Sequence, residues 1–77
     1  LDAGTRRRIM KGISFDVLRV GKKYRLKNFG ETYEFEIERI LVNGDFKVKD
    51  LHTLERYLLK DTIKFGTGKD FEIRDLD

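Results

Sequence analysis

Residues 32–50 read TYEFEIERILVNGDFKVKD, with apolar and charged side chains alternating on both sides of Asn43-Gly44. Side chains of an extended strand point to its two faces in turn, so this alternation describes strands with one dry and one wet side. Asn-Gly between two such runs is a strong hairpin signal, because a two-residue loop needs φ > 0 at both central positions and these residue types tolerate it. Setting Val42 opposite Asp45 puts Leu41 beside Phe46, Ile37 beside Asp50 and Glu38 beside Lys49. Tyr33, Phe35, Ile37, Leu41, Phe46 and Val48 then share the dry face, and a one-residue slip would turn the whole set to water. The segment predicts a small β domain and, by itself, no chemistry.

Past Arg39 the alternation changes phase. Glu34, Glu36 and Glu38 hold the wet face before it, and Ile40 and Val42 fall on that same parity after it. A bulge, or a strand bent enough to serve two sheets, accommodates the change. Upstream, residues 1–12 read as a basic flexible arm, with Gly4 and Gly12 interrupting a helix and Arg6, Arg7 and Arg8 too charged to bury. Ile13, Phe15 and Val17 alternate as an extended lead-in, Gly21 marks a turn, and Tyr24 and Leu26 alternate with Lys23, Arg25 and Lys27 in a strand with a wet basic face. A turn from Asn28 to Glu31 follows.

Downstream, Leu51, Leu54, Tyr57, Leu58 and Phe65 suit a helix capped by Asp50 and stopped at Gly66. The same residues also suit a short strand from Glu55 to Leu59, one helical turn from Lys60 to Phe65 and a closing strand from Phe71 to Arg74. The second reading completes a five-strand meander. The expected fold is therefore all-β, a small five-stranded barrel over residues 13–77 with one helical turn before its last strand; α+β with a helix at about 51–65 is the alternative.

Seventy-seven residues make one domain near the lower limit for a core without staples. The absence of Cys and the single His remove disulfides and multi-ligand zinc sites. No apolar run approaches the roughly 18 residues that span a bilayer, so no membrane partner is expected and a cytoplasmic location is the default. The net charge of +3 is unevenly spread: residues 1–29 hold nine Lys/Arg and two Asp/Glu, residues 30–77 eight and twelve. Either a basic surface that attracts polyanions or two halves that attract each other produces this pattern.

That architecture, a long bent strand, a tight hairpin, a short strand, one helical turn and a closing strand over about Val20 to Leu76, resembles the Src-homology-3-like small barrels, including Tudor-like domains. The resemblance implies a binding module. Its peptide-binding branch uses a Trp and an acidic, Tyr-rich loop; this chain has no Trp, and its corresponding loop is Asn28-Phe29-Gly30-Glu31. Its Tudor branch implies a cage of aromatics and an acid for methylated cations, for which Phe29, Tyr33, Tyr57 and Asp50 are the available residues.

Catalytic arrangements find little to build on. Ser14 and His52 are the only residues of their kinds, and no strained turn surrounds Ser14. Glu34, Glu36 and Glu38 face Lys49 and Lys47 in the expected register, so charge pairing accounts for them. Gly66-Thr67-Gly68-Lys69 lacks the spacing of a phosphate loop and reads as a turn. No catalytic residue, metal, cofactor or small-molecule substrate is expected. The strongest functional candidates are Arg6, Arg7, Arg8 and Lys11 on the arm and Lys22, Lys23, Arg25 and Lys27 around the first strand. Phe29 stands beside them to stack on a base of DNA or RNA. A second expectation is a protein partner or homo-oligomer docked on a sheet edge or on Ile40 and Val42.

Overall fold

The computed structural model describes residues 11–12 and 15–76, with side chains given from Phe15 onward except Asp16. Arg6, Arg7, Arg8, Ile13 and Ser14 lie outside the described residues, as does the side chain of Lys11. Six strands form one sheet: β1 (Lys11–Gly12), β2 (Lys23–Asn28), β3 (Glu31–Ile40), β4 (Phe46–Asp50), β5 (Arg56–Leu58) and β6 (Glu72–Asp75). Short 3₁₀ helices occupy Phe15–Val17 and Leu59–Ile63. The order is β1-β6-β2-β3-β4-β5, antiparallel except for the β1–β6 pair. The fold is all-β, and the helical alternative for residues 51–65 does not occur. Among the described residues no ladder joins β5 to β1, so the sheet curls over its core without closing into a barrel. No described helix is long and apolar enough to cross a membrane.

The decisive hairpin forms, with a different loop and register from those the Asn-Gly pair predicts. Leu41 N–H donates to the Asp45 carbonyl at 2.8 Å, enclosing a three-residue loop of Val42, Asn43 and Gly44. Of the two expected residues only Gly44 has positive φ, at 88°. This is the turn-plus-left-handed-Gly solution, the next commonest after the two-residue loop. Asn43 instead turns its Oδ1 back to accept from Asp45 N–H at 3.0 Å. The longer loop shifts the pairing to Ile40 with Phe46, and a bulge at Glu38 shifts it again, giving Ile37 with Val48, Glu36 with Lys49 and Phe35 with Asp50. The bulge resolves the phase change. Ile40 comes onto the side of Phe46, while Leu41 is only half-buried. Ile40 and Val42 therefore form no pair on the outer face, and Val42 stands alone at the loop tip.

Strand β2 alternates exposed and buried from Lys23 to Asn28, as its sequence does through Lys27; Asn28, expected to open the turn, ends the strand buried. Tyr24, Leu26, Phe35, Ile37, Val48, Leu59 and Ile73 are each at most 2% exposed, and Phe46, Phe71 and Leu18 complete the core. Full burial of one such Leu or Phe contributes about 1.5–3 kcal/mol. The extended lead-in is replaced by a 3₁₀ helix, because Phe15 folds inward to meet Phe46 and Phe71 edge-on at 6.4 and 6.0 Å. The reversal into β5 is set by Asp50, whose Oδ1 accepts from His52 and Thr53 N–H while its carbonyl accepts from Leu54 N–H.

Candidate functional site

The expected basic face is real in position and balanced in charge. Lys23, Arg25 and Lys27 project outward from β2, with Glu36, Glu34 and Thr32 opposite them on β3, and Arg74 and Glu72 opposite Arg25 and Lys27 on β6. Arg25 Nε donates to Glu34 Oε2 at 2.8 Å, Lys22 pairs with Asp75 at 3.4 Å, and Arg74 with Glu72 at 2.7 Å. The depression bounded by Arg25, Lys27, Thr32, Glu34, Glu72 and Arg74 encloses about 490 Å³ and carries both signs. Residues 1–12 hold four Lys/Arg and one Asp, so residues 13–77 carry thirteen of each sign. Lys22 and Arg25 of the basic half thus pair with Asp75 and Glu34 of the acidic half.

Two of the outer acids, Glu34 and Glu38, find partners other than Lys47 and Lys49, while Glu36 stands opposite Lys49. His52 Nε2 lies 2.7 Å from Glu34 Oε1, and hydrogen bonds from His52 and then Arg25 hold the Glu34 carboxyl below the usual range. Arg56 Nε donates to Glu38 at 2.8 Å with the same effect. The two lysines lie near Glu38 without reaching it, since the bulge moves Glu38 out of register with Lys49.

Phe29 is held out by a tight turn. Asn28 pairs with Glu31, leaving Phe29 and Gly30 as a two-residue loop with both φ positive, 51° and 77°. A bulky residue in the left-handed region is a genuine outlier. Asp70 accepts from the N–H groups of Phe29 and Gly30 at 2.9 and 2.8 Å, bonds that, Gly30's foremost, lower its pKa. The buried Asn28 side chain donates to the Thr62 and Gly66 carbonyls and accepts from Gly68 N–H, tying the turn to residues 62–68. The Phe29 ring lies on Gly68, where a Cβ would come within 2.9 Å of it, and remains 58% exposed. Tyr24 is in the core, its hydroxyl accepting from Arg19 N–H.

A second constellation sits where β3, the end of β4, β5 and the 3₁₀ helix meet. Tyr33, Asp50, Tyr57, Asp61 and Thr62 line a shallow pocket of about 250 Å³. No protein-family model, curated protein or solved structure matches this chain. The tyrosine rings are 6.5 Å apart and tilted by 53°, and Phe35 backs Tyr57 edge-on. The Tyr57 hydroxyl is shut off from water and has no hydrogen-bond partner among the described residues. Burial foremost, with Asp50 and Tyr33 nearby, pushes its pKa well above the ordinary tyrosine value. Of the four residues that the Tudor resemblance offered, three meet here, and Phe29 is not among the lining. Asp61 and Thr62 replace it, brought in by a 3₁₀ helix whose sequence carries no ligand signal. No group of three or more His, Cys, Asp or Glu among the described residues is placed to hold a metal ion.

Proposed function

We propose that this domain is a non-enzymatic binding module whose folded part captures a protein segment carrying a positive charge. The observation that carries this reading is the Tyr33–Tyr57 pocket. Two aromatic faces attract a cation through their quadrupoles, and two carboxylates complement its charge. The balanced charge of residues 13–77 also supports a protein partner over a polyanion. We read the fold as Src-homology-3-like, supported by the long bulged strand, the tight hairpin and the 3₁₀ helix ahead of the closing strand.

The test is titration of the full chain with n-butylammonium chloride, followed by amide and aromatic NMR. Saturable shifts at Tyr33, Asp50, Tyr57, Asp61 and Thr62 are expected, weaker in Asp61→Asn and at high salt. Equal shifts with neutral pentan-1-ol, or none with the cation, overturn the reading.

A second reading, nucleic-acid binding, is favoured by the exposed Phe29 ring on its strained turn. It assigns the charge to Arg6, Arg7, Arg8 and Lys11 and the stacking to Phe29, while Lys22 and Arg25 are paired with Asp75 and Glu34 and Lys23 stands opposite Glu36. Labelled single- and double-stranded oligonucleotides titrated across a salt series test it. Affinity should fall steeply with salt, and replacing Arg6, Arg7 and Arg8 by Ala should weaken it without moving Tm. Affinity that ignores salt would sink this reading.

A further inference from the structure

The strand beside the Tyr33–Tyr57 pocket is an unfinished edge. β5 ends the sheet among the described residues, and its ladder with β4 pairs Lys49 with Arg56, Val48 with Tyr57 and Lys47 with Leu58. Asp50 N–H donates to the Glu55 carbonyl at 2.8 Å, which marks Asp50–Glu55 as a hydrogen-bonded pair. Such pairs alternate with non-bonded ones along an antiparallel ladder. Tyr57 therefore turns its backbone groups toward Val48, and the backbone N–H groups of Arg56 and Leu58 point away from β4 along the open edge. The side chain of Tyr57 lies on the core side with its pocket, and those of Arg56 and Leu58 lie on the outer side with Lys47 and Lys49.

We infer that the module's ligand is an extended segment of a partner protein that adds to the β5 edge as a further antiparallel strand, with a Lys or Arg opposite Tyr57. The inference rests on the protein-binding reading and adds its geometry. A residue opposite Tyr57 on the added strand occupies a non-hydrogen-bonded pair, where Cα atoms approach to about 4.5 Å and side chains are closest. It points to the face of Tyr57, toward Tyr33, Asp50 and Asp61. Its two neighbours point to the outer face. The one beside Arg56 meets Lys49 and Arg56, the latter already donating its Nε to Glu38, and their remaining donors favour an acid; the one beside Leu58, itself 37% exposed, favours an apolar side chain. Charge complementarity on both faces thus specifies an apolar–cation–acid triplet. Main-chain bonding to an edge with side-chain pockets at alternate positions is an established mode of peptide capture. Three residues of edge supply few ladder bonds, so the cation carries most of the selectivity.

The probe is the capped heptapeptide Thr-Thr-Val-Lys-Glu-Thr-Thr, titrated into the full chain by NMR with amide hydrogen exchange. Expected are saturable shifts at Tyr33, Tyr57 and Asp61 and slowed exchange of the Arg56 and Leu58 amides. Binding should weaken at least tenfold when norleucine replaces the lysine, and likewise when the central peptide nitrogens are methylated. Pocket shifts without protection of Arg56 and Leu58 overturn strand addition while leaving the cation pocket standing. No response to either the heptapeptide or n-butylammonium overturns both. Concentration-dependent association of the chain alone, with those two amides protected, makes a second copy the occupant and overturns the inference.

Discussion

Replacing Asn28 by Ala should be among the most damaging single changes available outside the apolar core. The side chain is 1% exposed and makes three hydrogen bonds, to Thr62 O at 3.1 Å, Gly66 O at 3.0 Å and Gly68 N at 2.7 Å. Each neutral hydrogen bond contributes about 1 kcal/mol net, and a partner left buried and unpaired costs about 1–3 kcal/mol. Gly66 is exposed, so its carbonyl rehydrates, whereas Thr62 and Gly68 are half-buried and recover less. The expected loss is roughly 2–4 kcal/mol. In a domain of this size 1 kcal/mol moves Tm by about 4–8 °C, so a loss of about 3 kcal/mol predicts a fall of roughly 12–24 °C. Thermal and urea unfolding followed by circular dichroism measure it, and the midpoint should drop with the urea slope unchanged. Asn28→Asp tests the donor side separately: it keeps an acceptor for Gly68 N–H but turns an anionic oxygen toward two carbonyls, and should be no better than Ala. An Ala variant melting within about 3 °C of the parent would refute the claim that this amide ties the Phe29 turn to residues 62–68.

Tyr57→Phe removes a buried hydroxyl without a partner and should raise stability by about 1 kcal/mol; a clear loss in urea unfolding would mean the hydroxyl is satisfied. Phe29→Asn puts a residue that tolerates the left-handed region where a Phe pays about 1–2 kcal/mol for it. After the ring's contact with Gly68 is given up, Tm should rise by a few degrees, and a lower Tm would contradict the strain. For acid, the sign follows from Glu34, Glu38, Asp50 and Asp70, all with carboxyl pKa values lowered in the fold by hydrogen-bond donors. The unfolded chain binds protons first, so Tm should be insensitive to these groups between pH 7 and 5 and fall as pH drops below about 4.5. A Tm that rises on acidification through that window would contradict these contacts.

The strands were legible because their alternation is nearly unbroken: Tyr24 to Lys27 and Thr32 to Ile37 face as their residue types require, and only Asn28, polar and buried, breaks the rule. What the pattern could not carry was phase. Asn43-Gly44 suits a two-residue loop and equally a three-residue loop with Gly in the left-handed position, and only packing of Ile40 and Phe46 on one side selects the latter. The left-handed two-residue turn falls instead at Phe29-Gly30, where Gly30 suits it, Phe29 does not, and Asp70, some forty residues on, holds it. The basic strand was legible as a strand, and the acids beside it were not. Its acidic neighbours on β3 and β6 become neighbours only through long-range pairing. Asp61 was invisible as a pocket residue for a related reason, since a 3₁₀ helix, and no periodicity, brings it beside Tyr33 and Tyr57.

The even match of charges over residues 13–77 has a colloidal consequence. A chain of pI near 9.3 owes its excess of positive charge to its first twelve residues. Protein lacking that segment would sit close to its isoelectric point at neutral pH, where repulsion between molecules vanishes and mutual solubility is least. Its complementary surface charges would then favour contacts between copies that added salt disperses. Proteolysis near Gly12 would convert a net-positive chain into a nearly neutral one that salts in.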